Sequence, residues 1–323
     1  AMTIPPPTSA YVHVPFCRHR CGYCNFTVIA GRDELIADYL KAIEIELSWL
    51  EYPRPVNTLF VGGGTPTHLP EDAFSHFFEM VRHWFPPKPN AEISMEANPE
   101  DMNPAMIQAM QAAKITRASL GVQSFRQEKL KMLERSHDAN MVIDGVHMLR
   151  EVVSSLSLDL IFGAPHETLH DWKSDLDRAT ALPVDHISTY GLTYEQGTSF
   201  LGRRDRGELV SAGENLEREM YELAIDELQS AGFEHYEVSN FARPGHRCRH
   251  NENYWFCQPF YGVGPGAARF VGGTRETNIR STAQYLKKVL QGESPTAESD
   301  KLEAEDLARE QLVFGLRRLD GIN

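Results

Sequence analysis

The chain is poor in cysteine, in basic residues and in long apolar runs, and each shortage excludes a class of protein. Its 323 residues contain 5 cysteines, an odd number that does not suit a secreted disulfide framework. With 32 Lys and Arg against 45 Asp and Glu, the net charge is -13. That charge argues against a nucleic-acid partner and gives no help in binding anionic membranes. No apolar run approaches the roughly 18 residues of a membrane-spanning helix, so no transmembrane segment is expected.

The remaining composition is that of an ordinary globular protein. Hydrophobic residues make up 41% of the chain and charged residues 24%. A chain of this length fits one large domain, or one large domain and a small second one. The proline-bearing start lacks the apolar centre of a signal peptide. Together these features predict a cytoplasmic protein.

Three of the few cysteines stand together in the stretch YVHVPFCRHRCGYCNF at 11–26. Cys17, Cys21 and Cys24 have the spacing C-x3-C-x2-C and follow a short apolar run. Thiolates on one tight loop can face a common soft metal centre, and iron–sulfur clusters are held at spacings of this kind. A four-iron cluster needs four ligands and this loop supplies three, which leaves one iron open. The alternatives are a zinc site, which usually has paired cysteines, or a set of buried thiols.

The hydrophobic pattern predicts strands that alternate with helices over the first 200 residues. The predicted strands lie at 12–14, 58–61, 92–97, 118–122, 156–162 and 186–192. Strands separated by helix-length segments imply parallel βαβ units. Six such units are too few for a closed eight-unit barrel. The sequence therefore predicts an α/β fold with an open, three-quarter barrel.

The pattern changes after residue 200. A long helix is predicted at 214–231, and the polar stretch 294–300 is predicted to be a linker into a last helix at 302–316. We expect a barrel core at 1–200 and an extension at 201–300 that completes one side of the barrel. Residues 301–323 are expected to begin a C-terminal domain.

The cysteine loop resembles the signature of the radical S-adenosylmethionine (SAM) superfamily, and the GGGTP stretch at 62–66 matches a second motif of that superfamily. The resemblance implies a partial TIM-like (β/α)6 radical SAM barrel, a [4Fe-4S] cluster on the three cysteines and SAM on the open iron. It also implies the residues around SAM, which are Tyr11, Phe26, Gly63, Gly64, Thr65, Glu96, Gln123, Arg135 and Asp159.

Within this set the resemblance implies particular roles. Tyr23 or Phe26 would lie near the adenine, Glu96 would accept hydrogen bonds from the ribose hydroxyls, and Arg135 would pair with the SAM carboxylate. A carboxylate inside an apolar strand is costly unless it is used, which singles out Asp159 among the polar candidates.

A second motif, HNENYW, follows Cys248 at 250–255. It resembles the HNxxYW motif of the heme chaperone (HemW) branch of the coproporphyrinogen III oxidase-like family. The resemblance implies a heme site that involves His250, Asn251, Tyr254 and Trp255, with Cys248 as an alternative ligand. The other interpretation is a packed segment that closes the barrel, in which His250 is a hydrogen-bonded structural residue.

Two functions are weighed. The first is a heme chaperone that binds the cluster, SAM and heme and passes heme to a client protein, with an electron donor as second partner. The alternative is an oxygen-independent coproporphyrinogen III oxidase of porphyrin biosynthesis. Members of that branch resemble the pattern C-x3-C-x2-C-x-C, with a further cysteine two positions after the third. This chain has Asn25 and Phe26 there instead. This departure and the HNENYW motif favour the chaperone. Another radical SAM reaction on an unrelated substrate is a third hypothesis, and a homodimer is a further expectation.

Overall fold

The computed structural model describes residues 4–321, and its main sheet carries the candidate site. Within that range, nine strands form this sheet. They are β1 (Ser9–Val14), β2 (Val56–Gly63), β3 (Pro87–Ala97), β4 (Arg117–Gln123), β5 (Ser155–Phe162), β6 (His186–Gly191), β7 (Glu234–Glu237), β8 (Asn240–Ala242) and β9 (Tyr261–Val263). The strand order is β9-β1-β2-β3-β4-β5-β6-β8-β7. The strands from β9 to β6 are all parallel, whereas β8 and β7 are antiparallel.

Eleven α-helices lie within residues 4–321, and those before β6 connect the parallel strands, as the alternating pattern predicted. The eleven are α1 (Ile36–Ser48), α2 (Glu71–Trp84), α3 (Pro104–Ala112), α4 (Gln127–Met132), α5 (Ala139–Arg150), α6 (Leu169–Thr180), α7 (Ser199–Asp205), α8 (Glu214–Ser230), α9 (Arg249–Trp255), α10 (Thr282–Leu290) and α11 (Ala304–Gly315). The apolar stripes of the connecting helices pack against the sheet, and α2 alone buries Phe74, Phe77 and Phe78 in the common core. Among the described helices, none has both the length and the apolar character needed to cross a membrane.

The prediction of an open barrel is confirmed. The six predicted strands correspond to β1–β6, and no hydrogen bonds join β9 to β7 across the described part of the chain. The region after residue 200 adds strands at both edges: β9 lies parallel to β1, and β8 lies antiparallel to β6. The predicted boundaries at 200 and 300 stay a prediction, and the predicted segments 1–200 and 301–323 extend beyond the residues described.

The predicted polar linker at 294–300 is wrong. Residues Thr296–Lys301 form a strand, β12, at the edge of a small antiparallel sheet with β10 (Ala268–Val271) and β11 (Thr274–Asn278). Most of the β12 side chains are exposed. An edge strand with solvent on its faces has no need for alternating apolar residues, so its sequence gave no strand signal.

The glycine-rich run GVGPGA at 262–267 connects β9 to β10, with no helix between them. It is therefore not the strand-to-helix loop of a dinucleotide site. A Cβ at Gly262 would lie 1.8 Å from the Ala268 carbonyl oxygen, so only glycine allows this close approach. Glu46 of α1 holds the run in place, since it accepts hydrogen bonds from Gly264 N (2.9 Å) and Asn278 Nδ2 (2.7 Å).

Candidate functional site

Nearly all the side chains predicted for the cluster and for SAM line one cavity at the carboxyl ends of the parallel strands. In barrels of parallel strands, ligands bind at this end. The lining includes Cys17, Cys21, Cys24, Phe26, Gly63, Gly64, Thr65, Glu96, Gln123, Arg135 and Asp159. We call it the cysteine cavity, and its volume is about 150 Å³. Tyr11 is the predicted SAM residue that does not line it.

The cysteine loop begins directly after β1 and is closed by a short parallel pairing of Phe16–Cys17 with Ile29–Ala30. Cys24 N donates to the Cys21 carbonyl oxygen at 3.0 Å, which makes the turn that brings the last two cysteines round. The loop is held from outside by α7, because Phe200 N donates to the Gly22 carbonyl oxygen at 2.9 Å. All three cysteines line one cavity.

The GGGTP stretch begins with the last two residues of β2 and is hydrogen-bonded to the start of the cysteine loop. Gly64 N donates to the Val14 carbonyl oxygen and Thr65 N to the Phe16 carbonyl oxygen, both at 2.7 Å. The Thr65 hydroxyl lies 3.4 Å from the Cys17 sulfur. A Cβ at Gly64 would come within 2.6 Å of the Phe16 carbonyl oxygen, so the two segments can approach only because this residue is glycine.

Two partly buried carboxylates lie on the inner side of the cysteine cavity. Glu96, at the end of β3, accepts a hydrogen bond from Gly63 N at 2.7 Å. Burial and the nearby Asp159 raise the pKa of Glu96 to about 7, against the lowering effect of the Gly63 N–H. Burial also raises the pKa of Asp159, although Ser119 Oγ donates to it at 2.9 Å. Both groups are therefore acceptors whose charge responds to what binds beside them.

Arg135 lies at the centre of a hydrogen-bonded chain that the sequence did not reveal. Its Nη2 donates to Asn98 Oδ1 at 2.8 Å and to the Gly121 carbonyl oxygen at 3.0 Å, and its Nη1 lies 3.7 Å from the Cys21 sulfur. Asn98 Nδ2 donates in turn to Thr65 Oγ1 at 2.9 Å. Asn98 follows the end of β3, and this position was the only signal that could have marked it as a site residue.

Glu134 is the second residue that sequence reasoning missed. Its Oε2 accepts a hydrogen bond from Gly22 N at 2.8 Å and lies 3.4 Å from His19 Nε2. Glu134 therefore anchors the cysteine loop. Gln123, which lines the cysteine cavity, ends β4 with a positive φ of 63°. Non-glycine residues rarely adopt this conformation outside functional sites and turns.

The donor set fits an iron–sulfur cluster better than a single metal ion. Burial raises the pKa of Cys17 to about 12 and also raises that of Cys24, so without a metal these groups are neutral thiols. Within residues 4–321, no three His, Cys, Asp or Glu side chains are placed to share one ion. In a cluster each cysteine binds a different iron, so wider spacing is expected, and this arrangement gives no support to the zinc alternative.

The cavity also has features that fit SAM. The Arg135 Nε is buried with no hydrogen-bond partner among the described residues. An orphaned buried donor normally has an explanation, and a carboxylate in the cavity would provide one.

The HNENYW motif forms α9 and closes the inner side of the barrel. The carboxylate of Glu92, on β3, accepts hydrogen bonds from two backbone N–H groups in the first turn of this helix. They are Arg249 N at 3.0 Å and His250 N at 3.1 Å. The His250 ring is buried, with Nδ1 2.9 Å from Thr58 Oγ1 and Nε2 2.8 Å from the Tyr254 hydroxyl. Burial lowers the pKa of His250 to about 3. Since both ring nitrogens are occupied, this geometry favours the structural interpretation of His250 over its role as an iron ligand.

The other residues of the predicted heme set are divided between different surroundings. His250, Asn251, Tyr254 and Cys248 line an inner cavity of about 220 Å³, which shares Glu96, Ser119 and Asp159 with the cysteine cavity. Trp255 lines neither cavity. Its ring instead lies under the Arg317 guanidinium at 4.4 Å and near Phe314 at 6.3 Å.

Comparison with known proteins agrees with this geometry. Residues 11–179 match the family model of the radical SAM superfamily. Over 320 residues the chain is 32% identical to the heme chaperone HemW of Bacillus subtilis, a match that covers 98% of this chain and 84% of that protein. It is 36% identical over 324 residues to the heme chaperone HemW of Mycobacterium tuberculosis, covering 98% and 83%.

The chain belongs to the HemW family of radical SAM proteins. Its fold is also that of a solved structure, the radical SAM enzyme coproporphyrinogen III oxidase (HemN) from Escherichia coli. That likeness has a TM-score of 0.86 at 25% identity and covers 97% of this chain and 76% of the other. Membership of the HemW family confirms the resemblance on which the sequence analysis relied.

Proposed function

We propose that this chain is a heme chaperone that holds a [4Fe-4S] cluster and SAM and passes heme to a client protein. The observation that carries the proposal is the single cavity that joins three thiols, a glycine-rich stretch and Arg135. The names of the HemW relatives supply the cargo. An electron donor is part of the proposal, and a homodimer and a cytoplasmic location stay predictions.

Cys17, Cys21 and Cys24 would hold the cluster, and the remaining iron would take SAM. When bound, the pair supplies one-electron chemistry that cleaves SAM reductively. The chain itself binds and orients. Arg135 stands ready for a carboxylate, while Glu96 can accept hydrogen bonds from ribose hydroxyls once it is ionised.

The charge of the cavity fits a ligand with both signs. SAM carries a carboxylate beside an ammonium and a sulfonium. Arg135 lies against the cysteine loop, whereas Glu96 and Asp159 lie deeper, toward the inner cavity. This separation of charges would orient such a ligand in one direction along the cavity.

A second candidate function is oxygen-independent coproporphyrinogen III oxidation. The structural likeness to HemN favours it, because the two folds agree over nearly the whole of this chain. Phe26 argues against it, because the pattern C-x3-C-x2-C-x-C, which members of the oxidase branch resemble, has a further cysteine at this position.

One reconstituted sample tests both functions. The chain, loaded anaerobically with iron and sulfide, is titrated with hemin and then mixed with apomyoglobin as a general heme acceptor. In parallel it is given coproporphyrinogen III, SAM and a reductant. The chaperone proposal expects saturable heme binding, transfer to apomyoglobin and no oxidised porphyrinogen product. Turnover of coproporphyrinogen, or an absence of saturable heme binding, would overturn it.

A further inference from the structure

A cavity near the amino ends of the parallel strands belongs to neither site described above. It lies where β3, β4 and β5 begin, between these strands and the turn that leads from β8 into α9. This is the opposite end of the sheet from the cysteine cavity, and we call it the basal cavity. Its volume is about 370 Å³, within the range of about 300–1,000 Å³ that is usual for small-molecule sites.

The charged side chains of the basal cavity are mostly cations. Arg117, Arg247 and Arg249 line it together with His246, and Glu92 is the carboxylate among its lining residues. The whole chain has a net charge of -13, so three arginines at one cavity are an unusual concentration of positive charge. A guanidinium group donates pairs of hydrogen bonds to carboxylate and phosphate oxygens, and such a lining therefore suits an anion.

Arg117 is buried without a counter-ion. Its side chain belongs to a residue that is only 4% exposed, and none of the salt bridges within residues 4–321 includes it. Its Nη1 donates to Ser155 Oγ at 2.9 Å and to the His246 carbonyl oxygen at 3.1 Å. Both acceptors are neutral, whereas a buried charge is normally paired with an opposite charge. Arg117 is therefore the group in the basal cavity that an anion would stabilise most.

The charges on either side of Arg117 indicate from which side an anion would reach it. Arg117 also lines the inner cavity, where the carboxyl groups of Glu96 and Asp159 disfavour a further negative charge. On the basal side the acidic lining residue is Glu92, and the other charged lining residues are cations. An anionic partner for Arg117 is thus expected in the basal cavity and not in the inner one.

Glu92 does not supply the missing negative charge, because its carboxylate is engaged at the start of α9. Its Oε1 accepts hydrogen bonds from Ser94 Oγ and His250 N, both at 3.1 Å, and its Oε2 accepts from Arg249 N at 3.0 Å. These bonds fix the position of the carboxylate, and it forms no salt bridge with Arg117 within residues 4–321.

The other two arginines lie nearer the surface and differ in their partners. Arg247 already pairs with Asp320, its Nη1 lying 2.6 Å from Oδ2. Arg249 is exposed, and its Nη2 donates to the Asn90 carbonyl oxygen at 2.6 Å. The Arg249 Nε lies 3.8 Å from Glu92 Oε2, a distance at which an exposed pair contributes little. Arg249 is therefore the rim cation that a ligand can use.

We propose that the basal cavity binds a small molecule with a phosphate or carboxylate group, which pairs with Arg117 at the cavity floor and Arg249 at its rim. This site lies at the other end of the sheet from the cysteines, so the inference does not rest on the proposed function. The bound anion gives Arg117 its counter-charge. Because it binds the folded chain, it should also raise the stability of the fold as its concentration rises.

The test is isothermal titration calorimetry of the full chain with inorganic phosphate and, separately, with succinate. Sodium chloride holds the ionic strength constant, so that a general salt effect does not appear as binding. Saturable binding of at least one anion is expected, together with a higher melting temperature at higher anion concentration. Binding of one anion alone supports the site and identifies its ligand class. An absence of saturable binding by both anions would overturn the inference.

Three substitutions locate the binding. Arg117→Gln should weaken it by about tenfold or more, and Arg249→Gln by roughly twofold to fivefold, as expected for a partly exposed ion pair. Arg309→Gln removes the same charge from an exposed position of α11 that does not line the basal cavity, and should leave the affinity unchanged. Circular dichroism melts establish that each variant is folded.

If Arg117→Gln does not fold, the comparison of Arg249→Gln with Arg309→Gln decides. Equal affinities in these two variants would overturn the inference, because the anion would then respond only to overall charge. The iron–sulfur absorbance and the hemin titration of Arg249→Gln should match those of the unmodified chain. The outcome of this test is therefore separate from that of the chaperone proposal.

Discussion

The cysteine loop and the HNENYW helix are both short motifs on the same barrel, yet their polar groups are in opposite conditions. Around the cysteine loop, Arg135 Nε has no partner in the described chain, and neutral thiols face a cavity. In α9, both nitrogens of His250 and the backbone N–H groups at the helix start all have partners. The first region has an unpartnered cation at its cavity, whereas in the second the histidine is satisfied and Trp255 Nε1 is left without a partner among the described residues.

The difference shows what a motif match can and cannot indicate. Buried polar groups are normally satisfied, so an unsatisfied one on a residue that lines a cavity, as with Arg135 Nε, has an explanation that a ligand can supply. A satisfied histidine inside a barrel contributes first to stability, whatever its motif resembles. Substitutions in the cysteine loop should therefore impair ligand binding, whereas substitution of His250 should lower the stability of the fold.

Removal of a cysteine ligand should have the largest effect. Cys17→Ala, Cys21→Ala and Cys24→Ala should each abolish the iron–sulfur absorbance of the anaerobically reconstituted chain, because the loop has no spare thiol. Cys257→Ala is the matched control and should keep the absorbance, since this residue does not line the cysteine cavity. Retained absorbance in any of the three variants would contradict the ligand assignment.

Removal of the His250 ring should affect stability rather than the cluster. His250→Ala leaves the Thr58 and Tyr254 hydroxyls without their partner and opens a void, at a cost of about 2–4 kcal/mol in the free energy of unfolding. Urea denaturation measures this cost, and the iron–sulfur absorbance should be unchanged. His76→Ala, at an exposed position of α2, should cost little. Equal stabilities for the two variants would disprove the structural role of His250.

The buried Glu96 should give the protein a pH-dependent stability. Its pKa is raised from 4.5 to about 7 in the folded chain, so in this window the native state holds a proton that the unfolded state has lost. Its contribution to stability is therefore greatest at low pH and falls as pH rises from about 5 to 7, by up to about 3 kcal/mol. Glu96→Gln should remove this dependence, as measured by urea denaturation across that range.

The exposed Glu128 provides the control for that series. Glu128→Gln should keep the wild-type slope of stability against pH, because the side chain lies at the surface of α4. If Glu96→Gln and Glu128→Gln show the same slope, the raised pKa of Glu96 is refuted.

Loss of the Asn98 amide should have a smaller effect than the changes to the cysteines, His250 and Glu96. Asn98→Ala breaks the chain from Thr65 to Arg135, which loosens the arginine without touching the cysteines. One or two lost hydrogen bonds predict roughly a threefold to tenfold weaker affinity for SAM, with an unchanged cluster. Equilibrium dialysis of the reconstituted chain measures it, with Asn57→Ala, exposed on β2, as the control. Wild-type affinity in Asn98→Ala would remove this residue from the site.

Much of the fold was predictable because its signals are local. The alternation of apolar strands and amphipathic helices marked β1–β6, and the long helix predicted at 214–231 is α8, Glu214–Ser230. The strand Thr296–Lys301 was missed because its side chains face solvent and carry no pattern. The sequence also did not show that β9 lies beside β1, because this pairing joins two residues far apart in the chain, Ala10 and Tyr261.

The sequence alone determined which chemistry is present: three closely spaced cysteines, a run of glycines after a strand and a net charge that argues against a nucleic-acid partner. Spacing along one loop is a local property and needs no tertiary information. Only the tertiary structure decided which polar groups are hydrogen-bonded within the protein and which are left for a ligand. Arg135 meets Asn98 across 37 positions, and Glu92 reaches the start of α9 across 157. Such contacts depend on how strands are ordered in the sheet, and no short pattern records that order.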